Sequence, residues 1–476
     1  MTGLPNPDRR AVLRGAMAVG TTLAAGASLG GCAMGGGGSD AAPRTAEGEK
    51  TADNPLGVKN GSTVELVWFK GGNPSYLPDS VDPLFRKKYP EVTLKRGATE
   101  RMSQTLQPRF VGGNPPDYVD NVGADSLDLG ALIQGGQVLD LTELYEAPSV
   151  DDPKKKVKDT LLPGAYENAL IDGKPYVLSF YARAFGLWYD AKLFEKEGWK
   201  VPTTWDAFLS LCAEMKKAGI TPYGFAGKNA ADYHSQVILT SATKTGGQDV
   251  LRAIDNLEPG AWTAPAVRQA AAAWAEIGAK YTDKSCQGLI HTEVQLRQNQ
   301  GRIALYPSGD WLEAEQKLST PEDFTYAMMP VPSVTGSDAL PAHAIHTAIG
   351  GGQTFVPARA KNPAAAMEYM RLIFSRQGAR AFTAASGWLT TVQGAADGVP
   401  LPPGMASSQR ALDTAAADKS MVEGKYAVWY KPLAEELKNA TLELMFQGGS
   451  GDAFARRMQK KADELKKDPS VKKFRR

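Results

Sequence analysis

Only three cysteines and four histidines occur in the 476 residues, so a disulfide framework is excluded and metal chemistry has few ligands to draw on. The nearest approach to a metal pair, His343-Ala344-Ile345-His346, lacks the spacing of a metalloprotease helix and an evident glutamate partner. Gly350-Gly351-Gly352 is not followed by Lys-Ser or Lys-Thr, so it is no phosphate-cradling loop, and beyond the N-terminal leader no Gly-x-Ser-x-Gly elbow occurs. Internal repeats are absent. Neither sign of charge is in excess, with 54 Lys and Arg against 52 Asp and Glu. A nucleic-acid partner needs a basic face to displace phosphate counterions and is not expected. No run after the leader is long and apolar enough to cross a bilayer, which takes about 20 residues. Nothing in this pattern calls for a cofactor, and none is expected.

What is present begins at the N-terminus. Arg9-Arg10-Ala11-Val12-Leu13-Arg14 is a twin-arginine pair with apolar residues and a further base, followed by an uncharged stretch from Gly15 to Leu29. Leu29-Gly30-Gly31-Cys32 then resembles a bacterial lipobox. Residues 1–31 are expected to be an export signal and Cys32 the lipidated first residue of the mature chain. Acyl chains there would contribute ~0.8 kcal/mol per buried methylene. The expected location is therefore outside the cell, on the outer face of its membrane, held only by that anchor. Cleavage would remove Arg9, Arg10, Arg14 and Asp8 and bring the formal charge to zero. Residues 32–61 are rich in Gly, Ser, Pro, Thr and charge, and read as a tether.

An α/β opening follows. Thr63–Phe69 has strand character and stops at Lys70-Gly71-Gly72-Asn73-Pro74. Helices are expected over 80–88 and 104–110, and further strands near Glu91–Leu94 and Asp117–Asn121. Two apolar, aromatic runs, Lys174–Tyr181 and Ala184–Tyr189, flank Arg183. Helical periodicity then dominates over 205–218, 264–280, 293–299, 364–374 and 433–445, with a strand at Arg302–Tyr306. Cys212 falls in an amphipathic pattern, and both Cys212 and Cys286 are expected to be buried, free thiols. The basic tail from Lys460 to Arg476 reads as a solvated helix face.

Five motifs, in order, carry a family resemblance: Lys87-Lys88-Tyr89-Pro90-Glu91-Val92, Gly113-Asn114-Pro115-Pro116-Asp117, Gly173-Lys174-Pro175-Tyr176, Pro202-Thr203-Thr204-Trp205-Asp206, and Gly301-Arg302-Ile303-Ala304-Leu305 through Trp311. The chain resembles the extracellular solute-binding proteins of carbohydrate ABC importers from about residue 62 to 390. A narrower likeness, to actinobacterial lipoproteins that bind N-acetylglucosamine and diacetylchitobiose, rests on Phe69-Lys70-Gly71-Gly72, Leu106–Gly113 and Asp120-Asn121. Val122–Asp125 departs from that pattern.

The resemblance implies a type II periplasmic-binding-protein-like α/β fold with ligand trapped between two hinged lobes. The first lobe is expected to span 62–182 plus 306–350, the second 183–305 plus 351–476. Crossovers are expected near Tyr181–Ala184, Tyr306–Gly309 and Gly350–Gly352, where small residues can absorb φ/ψ changes. The implied partners are an oligosaccharide and membrane permease subunits served by a cytoplasmic ATPase, with the binding protein acting as a monomer and without catalysis.

Ligands in such sheets sit beyond the carboxyl ends of strands. That rule selects Lys70, Asn73, Asn121, Asp125, Asp310 and Trp311, with Arg183 in the first crossover; the resemblance adds Trp388, Tyr233 and His234, in loops that face the cleft in resembling proteins. The types suit a sugar: Trp and Tyr pack on apolar pyranose faces, while Asp, Asn and Arg fix hydroxyls by paired hydrogen bonds. For Arg183 and Asp125 a structural salt bridge or cap competes, and Lys70 reads equally as a solvated surface lysine. Trp188, Trp205, Trp262 and Trp274 read as core, with Thr204 capping the helix that starts at Trp205. The rival class is a glycoside hydrolase, which needs two carboxylates flanking one bond. Asp120, Asp125 and Asp310 are candidates for that role, but sequence alone does not bring any two together.

Overall fold

The computed structural model describes residues 47–71, 76–351 and 353–476. The leader, Cys32 and Asn73 lie outside the described residues. Strand β1 (Thr63–Phe69) buries Val64, Leu66, Val67 and Trp68, as a strand covered on both faces should. It pairs in parallel with β2 (Thr93–Thr99) and β3 (Tyr118–Asp120). Helices Tyr76–Lys88 and Met102–Val111 make the crossovers.

Residues 47–61 do not behave as tether. Leu56 and Val58 are buried in the core, and the Asn54 amide donates to Val58 O at 2.9 Å while its oxygen accepts from Val58 N at 2.8 Å. Two apolar side chains and one Asn-built turn suffice to fold this stretch onto the lobe.

The chain then passes a short hairpin, β4 (Leu170–Ile171) and β5 (Lys174–Pro175), and enters the ten-residue β6 (Tyr181–Asp190). This strand organises a second, six-stranded sheet with β7 (Thr221–Tyr223), β8 (Ile303–Gly309), β9 (Tyr326–Met329), β10 (Ile345–Gly351) and β12 (Met421–Val422). The pairs β6–β8, β6–β9 and β6–β10 are antiparallel; β7–β8 and β10–β12 are parallel. Strand β11 (Thr354–Phe355) returns to the first sheet, antiparallel to β3.

Two expectations are corrected by this topology. Residues 306–350 belong to the second sheet, because β8, β9 and β10 all sit beside or near β6. Residues 354–386 belong to the first lobe: helices Pro363–Ile373 and Arg376–Ser386 both pack on helix Tyr76–Lys88. Accordingly Tyr306–Gly309 is no crossover. The connections run as adjacent segments instead. Leu178 N donates to Thr354 O at 2.8 Å, Thr391 N to Phe180 O at 2.7 Å, and Ala182 N to Leu389 O at 3.2 Å. The chain passes between the sheets at 178–182, overlapping the expected Tyr181–Ala184, and again between β10 and β11; the third passage follows Thr391, since helix Pro403–Ala417 packs on β6, β9 and β10.

Local rules hold well in the second lobe. Helix Trp205–Lys217 has Thr204 Oγ1 accepting from Ala207 N at 3.4 Å, Asp206 in its first turn, Lys216 and Lys217 in its last, and Trp205, Phe208, Cys212 and Met215 on its buried face. Trp188, Trp262 and Trp274 are fully buried. Cys212 and Cys286 are buried and unbridged. Helix Gly451–Lys467 exposes Lys460, Lys466 and Lys467, but the tail beyond it folds back: Phe474 is buried against Trp429, and Arg476 pairs with buried Asp255 at 2.7 Å. No helix among the described residues is long and apolar enough to cross a membrane.

Candidate functional site

Strand β6 carries Arg183 to the junction of the lobes, on the same face as Phe185. The Arg183 guanidinium donates to Asp310 Oδ1 at 3.1 Å, and Ala184 N donates to Oδ2 at 3.4 Å. Asp310 follows directly on β8, the partner of β6, which is why the two meet. Both are buried. Burial raises the Asp310 carboxyl above the ordinary carboxylate range, and Arg183 pulls it back.

Aromatic rings surround this pair. The guanidinium lies 4.3 Å from the ring centre of Tyr181, 4.1 Å from that of Trp388 and 5.8 Å from that of Trp311. Trp388 comes from the first lobe, against Phe382 of helix Arg376–Ser386. Trp311 and Tyr233 come from the second, with Trp311 Nε1 donating to the Tyr233 hydroxyl at 3.1 Å. Phe185 packs edge-on to Trp311 at 5.1 Å. Trp388 Nε1 is buried and has no acceptor among the described residues. Trp311, Tyr233, Tyr181 and Trp388 are half-buried, so each keeps part of its surface available.

The first lobe adds Asp120 at the end of β3. Its carboxylate accepts from Thr354 Oγ1 at 3.0 Å and from Phe69 N at 3.4 Å. Burial pushes it up to about 6, opposed by those hydrogen bonds and by Arg183. The cluster can therefore do two things chemically. It offers flat apolar surface from both lobes, and it offers fixed donors and acceptors between them.

Five of the expected site residues converge here: Arg183, Tyr233, Asp310, Trp311 and Trp388. Four others do not. Lys70 is exposed at the end of β1, its N–H on Thr99 O at 2.9 Å. Asn121 is fully buried and spends its amide on Leu127 O, Leu127 N and Gln353 Oε1, which makes it a staple of its loop. Asp125 accepts from Gln104 N at 3.1 Å and caps helix Met102–Val111 through its carbonyl, which takes Ser103 N. His234 lies in helix Ala231–Gly246 one residue beyond Tyr233 and so points about 100° away. It is buried in the core, stacked on Phe225 at 4.8 Å and hydrogen-bonded to the Tyr223 hydroxyl at 2.6 Å, and burial drops its pKa to about 3. Asn73 lies outside the described residues.

Sequence reasoning missed Tyr181 and Phe185. Both sit in the aromatic run around Arg183, two residues to either side, and strand alternation puts all three on one face. The His343/His346 pair is split, with His343 on Asp418 at 2.5 Å and His346 buried against Phe185.

Known proteins share this architecture. Residues 70–380 match the family described as bacterial extracellular solute-binding protein. Over 392 residues, 81% of each chain, the sequence is 35% identical to the diacetylchitobiose binding protein NgcE of Streptomyces coelicolor. Among solved structures, one from work on xylan utilization by Caldanaerobius polysaccharolyticus superposes with a TM-score of 0.70 at 19% identity, covering 84% of this chain and 99% of that one. A chitin oligosaccharide binding protein gives 0.68 at 19% identity, covering 84% and 98%. The type II fold is thus shared with structures 19% identical to this chain, and the diacetylchitobiose and chitin oligosaccharide relatives are named as binding proteins rather than enzymes. The chain belongs to the bacterial extracellular solute-binding protein family.

Proposed function

We propose that this chain is the extracellular sugar-binding component of an ABC importer, capturing N-acetylglucosamine or chito-oligosaccharides between its lobes. One observation carries the reading. Rings from both lobes, Trp388 on one side and Trp311 with Tyr233 on the other, converge on a single Arg183–Asp310 pair. A pyranose held there touches both lobes at once, so its binding energy favours the closed state. The 35% identical relative, named for diacetylchitobiose, supports the acetylated sugar. Delivery passes to a membrane permease driven by a cytoplasmic ATPase. The twin-arginine leader directs export, and acyl chains on Cys32 hold the mature monomer at the membrane.

A thermal-shift panel on the soluble form starting after Cys32 tests this. A ligand at ~100 times its dissociation constant stabilises the native state by about 2.7 kcal/mol. A shift with N-acetylglucosamine or chito-oligosaccharides, and no cleaved product, is expected. A shift only with maltose, cellobiose or xylo-oligosaccharides would keep the sugar importer and discard the acetylated ligand; no shift with any sugar would discard both.

A further inference from the structure

We propose that Glu315 and Tyr306 form a specificity-determining subsite of the second lobe, binding a polar donor–acceptor pair on neighbouring atoms of the sugar; this rests on the sugar-binding reading above.

Glu315 lies one helical turn beyond Trp311, its N–H on Trp311 O at 2.9 Å. Its carboxylate ends a chain of buried side chains. The Tyr326 hydroxyl donates to Asn299 Oδ1, and Asn299 Nδ2 donates to Gln316 Oε1 at 3.1 Å. Gln316 Nε2 donates to Gln295 Oε1 at 2.8 Å, and Gln295 Nε2 to Glu315 Oε2 at 3.0 Å. Every link donates in the same direction, so each bond polarises the next. Tyr326, Asn299, Gln316 and Gln295 are all buried, and Glu315 alone is half-buried. A polar chain this complete fixes the orientation of its last member. Core packing alone would be served as well by apolar side chains of the same shape.

The other carboxylate oxygen of Glu315, Oε1, accepts no hydrogen bond from the described residues. Its neighbours are those of the site. Arg183 holds the carboxyl down while burial lifts it, and the Glu315 charge in turn raises the hydroxyls of Tyr233 and Tyr306. Tyr306 is fully buried in β8, and its hydroxyl has no partner among the described residues. An unfilled acceptor thus stands one turn beyond Trp311, and an unfilled donor belongs to Tyr306, whose ring centre lies 6.4 Å from that of Tyr233, the hydrogen-bond partner of Trp311. A site with such open valences discriminates strongly, because a ligand lacking the matching groups leaves them unpaired. The matching chemistry is an acetamido N–H and C=O, or two vicinal hydroxyls.

Calorimetric titration of the form starting after Cys32 with diacetylchitobiose and with cellobiose separates those sources. Glu315→Gln and Tyr306→Phe keep shape and remove one open valence each. Tyr326→Phe cuts the far end of the chain without touching the site. If the subsite is real, the first two weaken binding of the preferred sugar about tenfold to a hundredfold, and their melting temperatures without sugar stay close to the parent's. Tyr326→Phe weakens it less. Preference for diacetylchitobiose that collapses in Glu315→Gln identifies the acetamido group; equal loss for both sugars identifies vicinal hydroxyls. Parent-like affinity in both Glu315→Gln and Tyr306→Phe, with a parent that does bind, overturns the subsite alone. A parent that binds neither sugar overturns the subsite together with the reading it rests on.

Discussion

The Arg183 guanidinium stacks on Trp388 at 4.1 Å from its ring centre while donating to Asp310 at 3.1 Å, so one side chain ties a ring of the first lobe to a carboxylate of the second. Trp388→Ala removes the first-lobe face of the site and leaves the second-lobe pair intact. Affinity for the sugar should fall about tenfold to a hundredfold, the worth of one large aromatic contact. Melting temperature without sugar should fall by only a few degrees, because the ring is half-buried. Parent-like affinity in titration calorimetry would remove Trp388 from the site.

Asp310→Asn leaves the Arg183 charge buried without its counter-ion. Breaking one partner of a buried pair costs about 3–5 kcal/mol, which urea unfolding reads as a lower midpoint. Adding Arg183→Met in the same chain should recover much of that stability and none of the sugar affinity. A double variant as unstable as Asp310→Asn would mean that the carboxylate matters through Ala184 N rather than through the ion pair.

His234 sets an acid limit. Its folded pKa of about 3 lies below the ordinary value of 6.5. Below pH 6.5 the unfolded chain takes up a proton that the folded chain refuses, so stability falls with pH from about 6.5 towards 3, by up to ~1.4 kcal/mol per pH unit. Buried carboxyls such as Asp120 and Asp255, raised to about 6, act in the opposite sense over part of that range. The difference between the parent and His234→Phe isolates the imidazole. The variant should lose a constant increment, from the unpaired Tyr223 hydroxyl, and a slope. Parallel stability–pH curves would refute the assignment.

Sugar binding should release protons. Burial pushes the Glu315 carboxyl up to about 7, and a ligand hydrogen bond donated to it favours the ionised form. The charged and titratable groups around it are Arg183 from β6, Tyr233 from helix Ala231–Gly246 and Tyr306 from β8, with Asp310 and Glu313 flanking Trp311. The tyrosines are raised and stay neutral, and Asp120 lies lower, at about 6, so Glu315 is the group that moves near pH 7. Affinity should rise between pH 6 and 8, and the binding enthalpy at pH 7 should depend on buffer ionisation. Both effects should vanish in Glu315→Gln.

The features legible in the sequence are those written locally. Thr204 before Trp205 marks a helix start because a cap and an apolar period lie within a few residues. The crossing from β10 to β11 likewise lies beside a run of glycines written in one place. Which sheet lies on either side of that crossing is not local. It depends on β10 running antiparallel to β6, some 160 positions earlier, and the lobes were accordingly expected in exchanged order after residue 306. The site divides the same way. Arg183, Asp310 and Trp311 follow from strand ends, whereas separating Tyr233 from His234 requires the phase of a helix whose start carries no side-chain cap. Glu315 was hidden because its supports span 295 to 326; the spacing of four from Trp311 was its only visible signal.

Cys212 and Cys286 both belong to the second lobe, and burial pushes each thiol up to about 12. The first lobe contains no cysteine, since the remaining one is Cys32. A thiol-specific reagent therefore reaches its targets only when the second lobe opens, and the first lobe is silent to it. Labelling rates measured with and without sugar would then report how far ligand held at the interlobe junction steadies one half of the molecule, with no engineered probe.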